Sequence, residues 1–170
     1  FIFSSSATVY GDPKILPITE SEPIKKAESP YGNTKQIGEE IIKDLVNSSS
    51  NFNAISLRYF NPIGAHPSAL IGELPIGIPQ NLVPYITQTA IGKRNELTVF
   101  GDNYLTRDGS CIRDYIHVVD LAKAHIKSLE KLIKESSKNY YDAFNIGTGK
   151  GTSVLELISC FESVSGKKLN

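Results

Sequence analysis

The stretch that decides the fold is "SPYGNTKQIGEEIIKDLV", Ser29 to Val46, which lies between two short apolar segments. Ser29 is a good helix N-cap and Pro30 suits the first helical position, so we predict that a helix begins here. Apolar residues then recur at helical spacing as far as "NSSSN": Ile37, Ile41, Ile42, Leu45 and Val46.

The segments on either side of this helix, "FIFSSS" and "NAISLRYF", are typical of buried strands in a parallel sheet. Strand, helix and strand together form a crossover unit. Downstream, "LTVFG", "YIHVV" and "YDAFNIG" are strand-like, and residues 62–82 are expected to be loop. Further helices are predicted from Leu82 to Gly92, after a cap at Asp120, and after a cap at Thr152 or Ser153. This alternation predicts an α/β fold.

The composition argues against several classes of function. The chain has 170 residues with 18 basic and 18 acidic side chains, so we expect no nucleic-acid partner and no anionic membrane surface. Two cysteines make no disulfide framework, which fits the cytoplasm. No apolar run approaches the roughly 20 residues of a membrane span. The three histidines show no ligand spacing, so no metal site is expected.

The chain contains no methionine and opens inside a strand-like segment. Because mature domains seldom begin within a strand, we expect this sequence to be an internal part of a longer protein.

Tyr31 and Lys35 are four residues apart, which places them on one face of the helix, with Cβ atoms roughly 5–6 Å apart. A neighbouring ammonium and the positive end of a helix both favour a phenolate. Taken alone, the spacing fits a solvated first turn better than a catalytic pair. The surrounding motifs therefore decide the interpretation.

Those motifs follow one another along the chain. "SSSATVYG" follows the first strand, "SPYGNTK" opens the helix, and "LRYFNPIGAHP" ends the next strand. "VFGDNY", "RDYIHVVDLAKAH" and "FNIGTGKGTSVLEL" follow. The set resembles the extended short-chain dehydrogenases/reductases, and among them the UDP-glucose 4-epimerases, over essentially the whole chain. The resemblance implies the second half of a Rossmann-like doubly wound parallel sheet with a smaller α+β substrate-binding domain.

The resemblance also implies how the chain is divided. We expect the C-terminal half of the NAD-binding Rossmann domain at 1–61, a substrate-binding segment at 62–111, a strand and helix returning to the Rossmann domain at 112–135, and an incomplete substrate-domain segment at 136–170. The family's Gly-rich NAD loop and its last sugar-pocket residues are not found here. The isolated chain is therefore expected to be inactive, and the function to belong to the full-length parent.

The catalytic roles implied by the family fall on three residues. Tyr31 is its acid/base, Lys35 favours the phenolate and holds the nicotinamide ribose, and Ser6 is the partner of the sugar 4-hydroxyl, with Thr8 beside it. Without the family, a Ser-rich loop after a strand indicates only turn chemistry, and Thr8 could be a loop hydroxyl bonded to backbone.

The positions that follow the second strand match cofactor and phosphate contacts. Tyr59 and Phe60 correspond to residues near the nicotinamide, and Asn61 to a residue that reaches the nucleotide phosphates. Outside the family, the dipeptide at Asn61 could simply start a turn.

Further matches concern the UDP-sugar substrate. Asn81 and Leu82 correspond to contacts with sugar and phosphate, although Gln80 departs from the family's asparagine. Phe100 corresponds to a residue beside the uracil, and Arg113 to the pyrophosphate arginine, a role that suits a planar permanent cation. The alternatives are a core aromatic for Phe100 and a surface ion pair with the adjacent aspartate for Arg113.

"GTGKGTS", Gly147 to Ser153, looks like a phosphate loop but lacks the spacing of one. We interpret it as a tight βα turn.

The function implied is the NAD-dependent interconversion of UDP-glucose and UDP-galactose by transient oxidation at sugar C4, in galactose metabolism. Alternatives are a UDP-N-acetylhexosamine or UDP-pentose 4-epimerase, a 4,6-dehydratase, and a non-catalytic NAD-binding scaffold. Ala7 and Thr8 replace the acid and base of a dehydratase, and the intact Ser6, Tyr31 and Lys35 argue against a scaffold. A homodimer of the parent, formed through the helix face at 36–46, is a family expectation.

Overall fold

The computed structural model describes residues 1–170, in which strands and helices alternate. The elements are β1 (Ile2–Ser6), a 3-10 helix (Ala7–Tyr10), α1 (Pro30–Ser48), β2 (Ala54–Tyr59), β3 (Asn61–Ile63), α2 (Leu82–Ala90), β4 (Ile112–His117), α3 (Val118–Lys134), β5 (Tyr141–Ile146), β6 (Gly151–Ser153) and α4 (Val154–Ser165). The predicted α/β class is confirmed.

Two small sheets organise these elements. The first has the order β1-β2-β5 with all strands parallel, so their carboxyl ends meet at one edge. The second has the order β3-β4-β6, in which β3 and β4 are parallel and β6 runs antiparallel to β4. Tyr59 ends β2 and Asn61 begins β3, so a single residue joins the two sheets.

Helix α1 is the predicted crossover connection between β1 and β2. It begins at Pro30, and the Ser29 hydroxyl accepts a hydrogen bond from the Gly32 N–H at 3.0 Å, as its N-cap role predicts. Ile42 and Val46 pack on Ala54 of β2, with Phe3, Phe52 and Tyr141 around them. None of the four α-helices is long and apolar enough to cross a membrane.

The sequence prediction was wrong at three local elements. "LTVFG" forms no strand, because no neighbouring strand is available to accept its backbone hydrogen bonds. Its one backbone bond of this kind runs from the Leu97 N–H to the Asn170 carbonyl at 2.7 Å. Residues 62–63 belong to β3 rather than to loop. Helix α3 begins at Val118, before Asp120, because His117 is its N-cap and its Nδ1 accepts from the Val119 N–H at 3.2 Å.

Strands β4 and β5 belong to different sheets. Strand β4, in the segment 112–135 that the resemblance assigned to the Rossmann domain, pairs with β3 and β6. Strand β5, in the segment 136–170 that it assigned to the substrate domain, pairs along its length with β2. Because β2 and β5 are parallel, they need a crossover, which α3 supplies as it packs on β1 and β2. The proposed domain boundaries stay a prediction.

Gly11 ends the 3-10 helix at φ 62° and ψ −128°, and a Cβ there would lie 2.6 Å from the Lys26 carbonyl oxygen. We therefore expect Gly11→Ala to lower the free energy of unfolding by more than the roughly 1–2 kcal/mol of left-handed strain alone. Urea denaturation measures the change. Gly166→Ala is the control, because Gly166 has a φ of 68° and no atom near its Cβ position. A loss in Gly11→Ala no larger than the loss in Gly166→Ala would contradict this expectation.

Candidate active site

The carboxyl edge of the first sheet brings the predicted catalytic residues together. Ser6 ends β1 and Tyr59 ends β2, and the two are partners in the parallel register. The first turn of α1 lies against the 3-10 helix, since a Cβ built on Gly32 would be 3.3 Å from the Thr8 carbonyl oxygen. Ligands of open α/β sheets bind outside the carboxyl ends of the strands, so this edge is the natural place for chemistry.

Tyr31 and Lys35 share a face of α1, as predicted. The Tyr31 side chain is exposed, and the Lys35 Nζ lies 5.4 Å from the centroid of its ring. The same ammonium donates to the Ser4 carbonyl oxygen at 2.9 Å, which fixes it to β1. An accessible phenol beside a held ammonium can exchange a proton with a bound ligand.

Ser6 has the turn role that a Ser-rich loop after a strand indicates, and its contact with the sugar stays a prediction. Its Oγ caps the 3-10 helix by accepting from the Thr8 N–H at 3.2 Å, which is turn chemistry, and it also accepts from the Thr8 hydroxyl at 3.0 Å. The Thr8 hydroxyl therefore donates to a side chain rather than to backbone. Because Ser6 only accepts in these contacts, its own hydroxyl proton is available to a ligand.

Tyr59 is suited to donating a hydrogen bond and not to acting as a base. Burial raises its pKa above the ordinary 10.0, and negative charge at Tyr31 would add to that shift. Its hydroxyl donates to Ser4 Oγ at 2.7 Å and also lies 2.7 Å from His125 Nε2. His125 Nδ1 in turn lies 2.9 Å from the Leu121 carbonyl oxygen. Sequence reasoning missed His125.

The predicted substrate residues line a cavity of about 1000 Å³. It is formed by β3, β4, the start of α2 and residues 93–100. A volume of this size is large enough for a nucleotide-sized ligand. All five predicted positions contribute to its wall: Asn61, Asn81, Leu82, Phe100 and Arg113.

The structure thus separates the predicted residues into two groups. Tyr31, Lys35 and Ser6 do not line the cavity. The link is the short connection between the sheets, where Phe60 donates its N–H to the Ile146 carbonyl at 3.0 Å and Asn61 enters the cavity wall. The cavity wall therefore begins, at Asn61, two residues after Tyr59 ends the strand at the carboxyl edge of the first sheet.

Two alternatives for the cavity residues are excluded by the geometry. The Phe100 side chain is 84% exposed, so it is not a core aromatic. Arg113 is exposed and donates to the Ile112 carbonyl at 2.8 Å, and it forms no ion pair with Asp114. Arg113 therefore offers an unpaired cation to an anion in the cavity.

The Asp114 carboxylate instead fills the "GTGKGTS" turn. It accepts from the Thr148 N–H at 2.9 Å, the Thr148 hydroxyl at 2.6 Å and the Gly149 N–H at 2.8 Å. The N–H groups that would hold a phosphate are already bonded within the chain. The stretch is structural, as interpreted, but it is not simply a tight βα turn, because Gly151–Ser153 form β6, which pairs with β4 before α4 begins.

A buried ion pair behind the edge was also missed by sequence reasoning. Glu39 of α1 is fully buried and receives hydrogen bonds from Arg58 Nε at 2.9 Å, Arg58 Nη2 at 2.6 Å and Ser5 Oγ at 2.6 Å. Burial opposes the charge of Glu39, but the hydrogen bonds from Arg58 and Ser5 outweigh it and hold its pKa below the ordinary 4.5. The available signal was a charged Arg58 inside the apolar run "NAISLRYF".

A family model described as the NAD dependent epimerase/dehydratase family matches residues 1–147. The chain belongs to this family. Its relatives include "UDP-glucose 4-epimerase" of Drosophila melanogaster, 54% identical over 170 residues, covering 100% of this chain and 48% of the relative. "UDP-glucose 4-epimerase" of Bacillus subtilis is 54% identical over 168 residues, covering 99% of this chain and 48% of the relative. The chain spans about half the length of the curated relatives it matches.

Solved members of the epimerase/dehydratase family have the same fold. UDP-glucose 4-epimerase from Stenotrophomonas maltophila, with bound NAD and formylated UDP-arabinopyranose, superposes with a TM-score of 0.92 at 49% identity and covers 99% of this chain and 49% of that one. The Bifidobacterium longum enzyme with NAD+ and UDP gives 0.90 at 49% identity, with coverage of 99% and 49%. The Rossmann-like architecture and NAD as the family's cofactor are confirmed. The individual residue roles stay predictions.

The lowered pKa of Glu39 sets a pH dependence of stability. Its carboxylate stabilises the fold above its ordinary pKa of 4.5, and this contribution is lost as pH falls through the lower pKa of the folded state. We expect Glu39→Gln to lower the free energy of unfolding by about 3–5 kcal/mol near pH 7. The difference from the unsubstituted protein should shrink as pH falls below 4.5. Urea denaturation across this range measures both quantities.

The control is Glu40→Gln, which removes an exposed carboxylate one residue further along α1. We expect it to change stability little at any pH. A Glu39→Gln deficit that stayed constant between neutral and acidic pH would contradict the assignment of a buried charged carboxylate.

Proposed function

We propose that the complete protein carrying this chain interconverts UDP-glucose and UDP-galactose. The observation that supports this most directly is the accessible Tyr31 phenol with the Lys35 ammonium 5.4 Å from its ring, in a chain that also has a cavity of about 1000 Å³. The relatives at 54% identity are named UDP-glucose 4-epimerases, which supports the same reaction.

The catalytic residues would move and hold one proton. Tyr31, as the base, takes the proton of the sugar 4-hydroxyl and later returns it, beside the Lys35 ammonium that lies 5.4 Å from its ring. The free hydroxyl proton of Ser6 would bond the same sugar oxygen. Bound NAD supplies the hydride acceptor, and then the hydride donor, at sugar C4.

The residues present fit the nicotinamide end of the cofactor. Lys35 is fixed to the Ser4 carbonyl with donors to spare, so its ammonium suits a ribose hydroxyl. Tyr59 and Phe60 lie where β2 ends, at the carboxyl edge of the sheet that dinucleotides use in this fold. Tyr31, Lys35, Tyr59 and Phe60 are therefore the residues we assign to the nicotinamide half.

The cavity would hold the UDP part of the substrate. Arg113 has no acidic partner, so its guanidinium is available to the pyrophosphate, and a chain of zero net charge needs such a local cation. The exposed Phe100 ring offers a stacking surface to the uracil. Asn61, Asn81 and Leu82 supply the remaining contacts with phosphate and sugar.

Three further proposals accompany this function. A homodimer would form through the outer face of α1, where Ile37, Ile41 and Leu45 are exposed at helical spacing. The enzyme would act in the cytoplasm, because the chain has two free cysteines and no disulfide framework. Its pathway would be galactose metabolism.

The assay is to incubate the complete gene product with NAD and UDP-galactose and to separate the nucleotide sugars by chromatography. We expect UDP-glucose to form, and Tyr31→Phe to lower kcat by roughly 100- to 10,000-fold while NAD stays bound, because a phenyl ring cannot exchange a proton. Tyr104→Phe is the matched control, since Tyr104 is 50% exposed against 55% for Tyr31 and does not line the cavity. Turnover that survived in Tyr31→Phe would contradict the assignment of the base.

The same assay separates the alternatives. UDP-N-acetylglucosamine and a UDP-pentose as substrates test the related epimerases, and a 4-keto-6-deoxy product would indicate a dehydratase. Ala7 and Thr8 provide no carboxyl group for that elimination. NAD binding without any turnover would indicate the scaffold alternative.

A further inference from the structure

The buried carboxylate of Glu39 connects three parts of the fold. Beyond Arg58 and Ser5, its Oε2 receives the Tyr141 hydroxyl of β5 at 3.4 Å, and Lys43 lies 3.9 Å away. Burial raises the pKa of Tyr141 to about 12, so its hydroxyl remains a donor. Glu39 therefore fixes α1 to β1, β2 and β5 through side chains that are all held by hydrogen bonds.

Arg58 extends this network to the 3-10 helix that follows Ser6. Its Nη1 donates to the Tyr10 hydroxyl at 2.8 Å, and the guanidinium lies 4.9 Å from the centroid of that ring. Tyr10 is fully buried and donates in turn to Asn145 Oδ1 at 2.7 Å. Both ends of the 3-10 segment are thus fixed, Ser6 at its start and Tyr10 at its end.

Glu39 also continues the stripe of the proposed catalytic pair. Tyr31, Lys35 and Glu39 follow one another at intervals of four residues along α1, so they lie on one face of the helix. Lys35 bonds the Ser4 carbonyl, and Glu39 bonds the hydroxyl of the next residue, Ser5. The residue after that is Ser6. These two contacts, at consecutive residues of β1, therefore fix the position of β1 relative to α1, the helix that carries Tyr31.

We propose that Glu39 and Ser5 are positioning residues, which hold Ser6 in register with Tyr31 and Lys35. This inference rests on the proposed function, because it assigns a role to the distance between two of its residues. Errors of about 1 Å in the placement of reacting groups reduce rates roughly 100-fold. A hydrogen bond between two buried side chains next to the reacting residues is a direct way to limit such errors.

The test is Ser5→Ala in the complete gene product, which removes the bond to Glu39 and leaves the ion pair with Arg58. We expect kcat for UDP-galactose to fall about 10- to 100-fold with KM changed less than about threefold, since the UDP contacts lie elsewhere. Backbone amide hydrogen exchange of residues 4–8 should become faster.

Ser56→Ala is the matched control. Ser56 lies on β2, is as buried as Ser5, and bonds the Tyr141 hydroxyl at 2.9 Å but not Glu39. We expect it to cost similar stability and to leave both kcat and the exchange of residues 4–8 unchanged. Equal kcat and equal exchange in the two variants would overturn the proposal, because a merely structural hydroxyl would behave alike at either position.

The readouts also separate this inference from the function on which it rests. An unsubstituted protein that converts no UDP-galactose would contradict the proposed reaction. Hydrogen exchange would still show whether the Ser5–Glu39 bond orders residues 4–8, and unchanged exchange in Ser5→Ala would reject the positioning role whatever the reaction.

Discussion

The structure depends on a single buried ion pair between Arg58 and Glu39. Two charges removed from water are costly to the fold unless each is fully hydrogen-bonded, and here the carboxylate receives Arg58, Ser5 and Tyr141 while the guanidinium also reaches Tyr10. No buried side-chain nitrogen or oxygen lacks a partner. The arrangement therefore requires α1, β1, β2 and the 3-10 helix to be assembled together. Separating any one of them would remove a hydrogen-bond partner from a buried charge.

This constraint explains why the candidate site can be so accessible. Tyr31 and the Lys35 ammonium lie at a solvent-facing edge, where few apolar contacts could hold them. The same helix face is anchored inside the protein at its other end, where the buried Glu39 accepts hydrogen bonds from Arg58 and Ser5. The exposed pair is therefore carried on a helix whose position is set by a buried charge.

The sequence predicted the elements whose signals are local. The Ser29–Pro30 start of α1, the apolar strands β1, β2 and β5, and the Ser153 cap of α4 follow from capping chemistry and hydrophobic periodicity. Pairing is not a local property, so "LTVFG" was predicted to be a strand although no other strand pairs with it. The prediction that Asp120 caps α3 was wrong because His117, three residues earlier, is the N-cap, and its Nδ1 accepts a hydrogen bond from the Val119 N–H.

The candidate site likewise contains residues that the sequence predicted and residues that it did not. Motif resemblance assigned Tyr31, Lys35, Ser6 and the five residues that the fold gathers around the cavity. It did not indicate Glu39, Arg58 or His125, whose importance arises only when distant parts of the chain meet. Arg58 was visible as a charge in an apolar strand, but its partner on the helix could not be identified from spacing.

The Asp114 carboxylate inside the "GTGKGTS" turn shows what such a motif means in three dimensions. The turn has the glycines and the inward N–H groups of an anion site, and it does hold an anion, one covalently part of the same polypeptide and 34 positions away from Thr148. Whether a glycine-rich turn is open to nucleotides is thus decided by a strand that no local motif includes. The turn thus joins β4 to the residues after β5 through the Asp114 carboxylate.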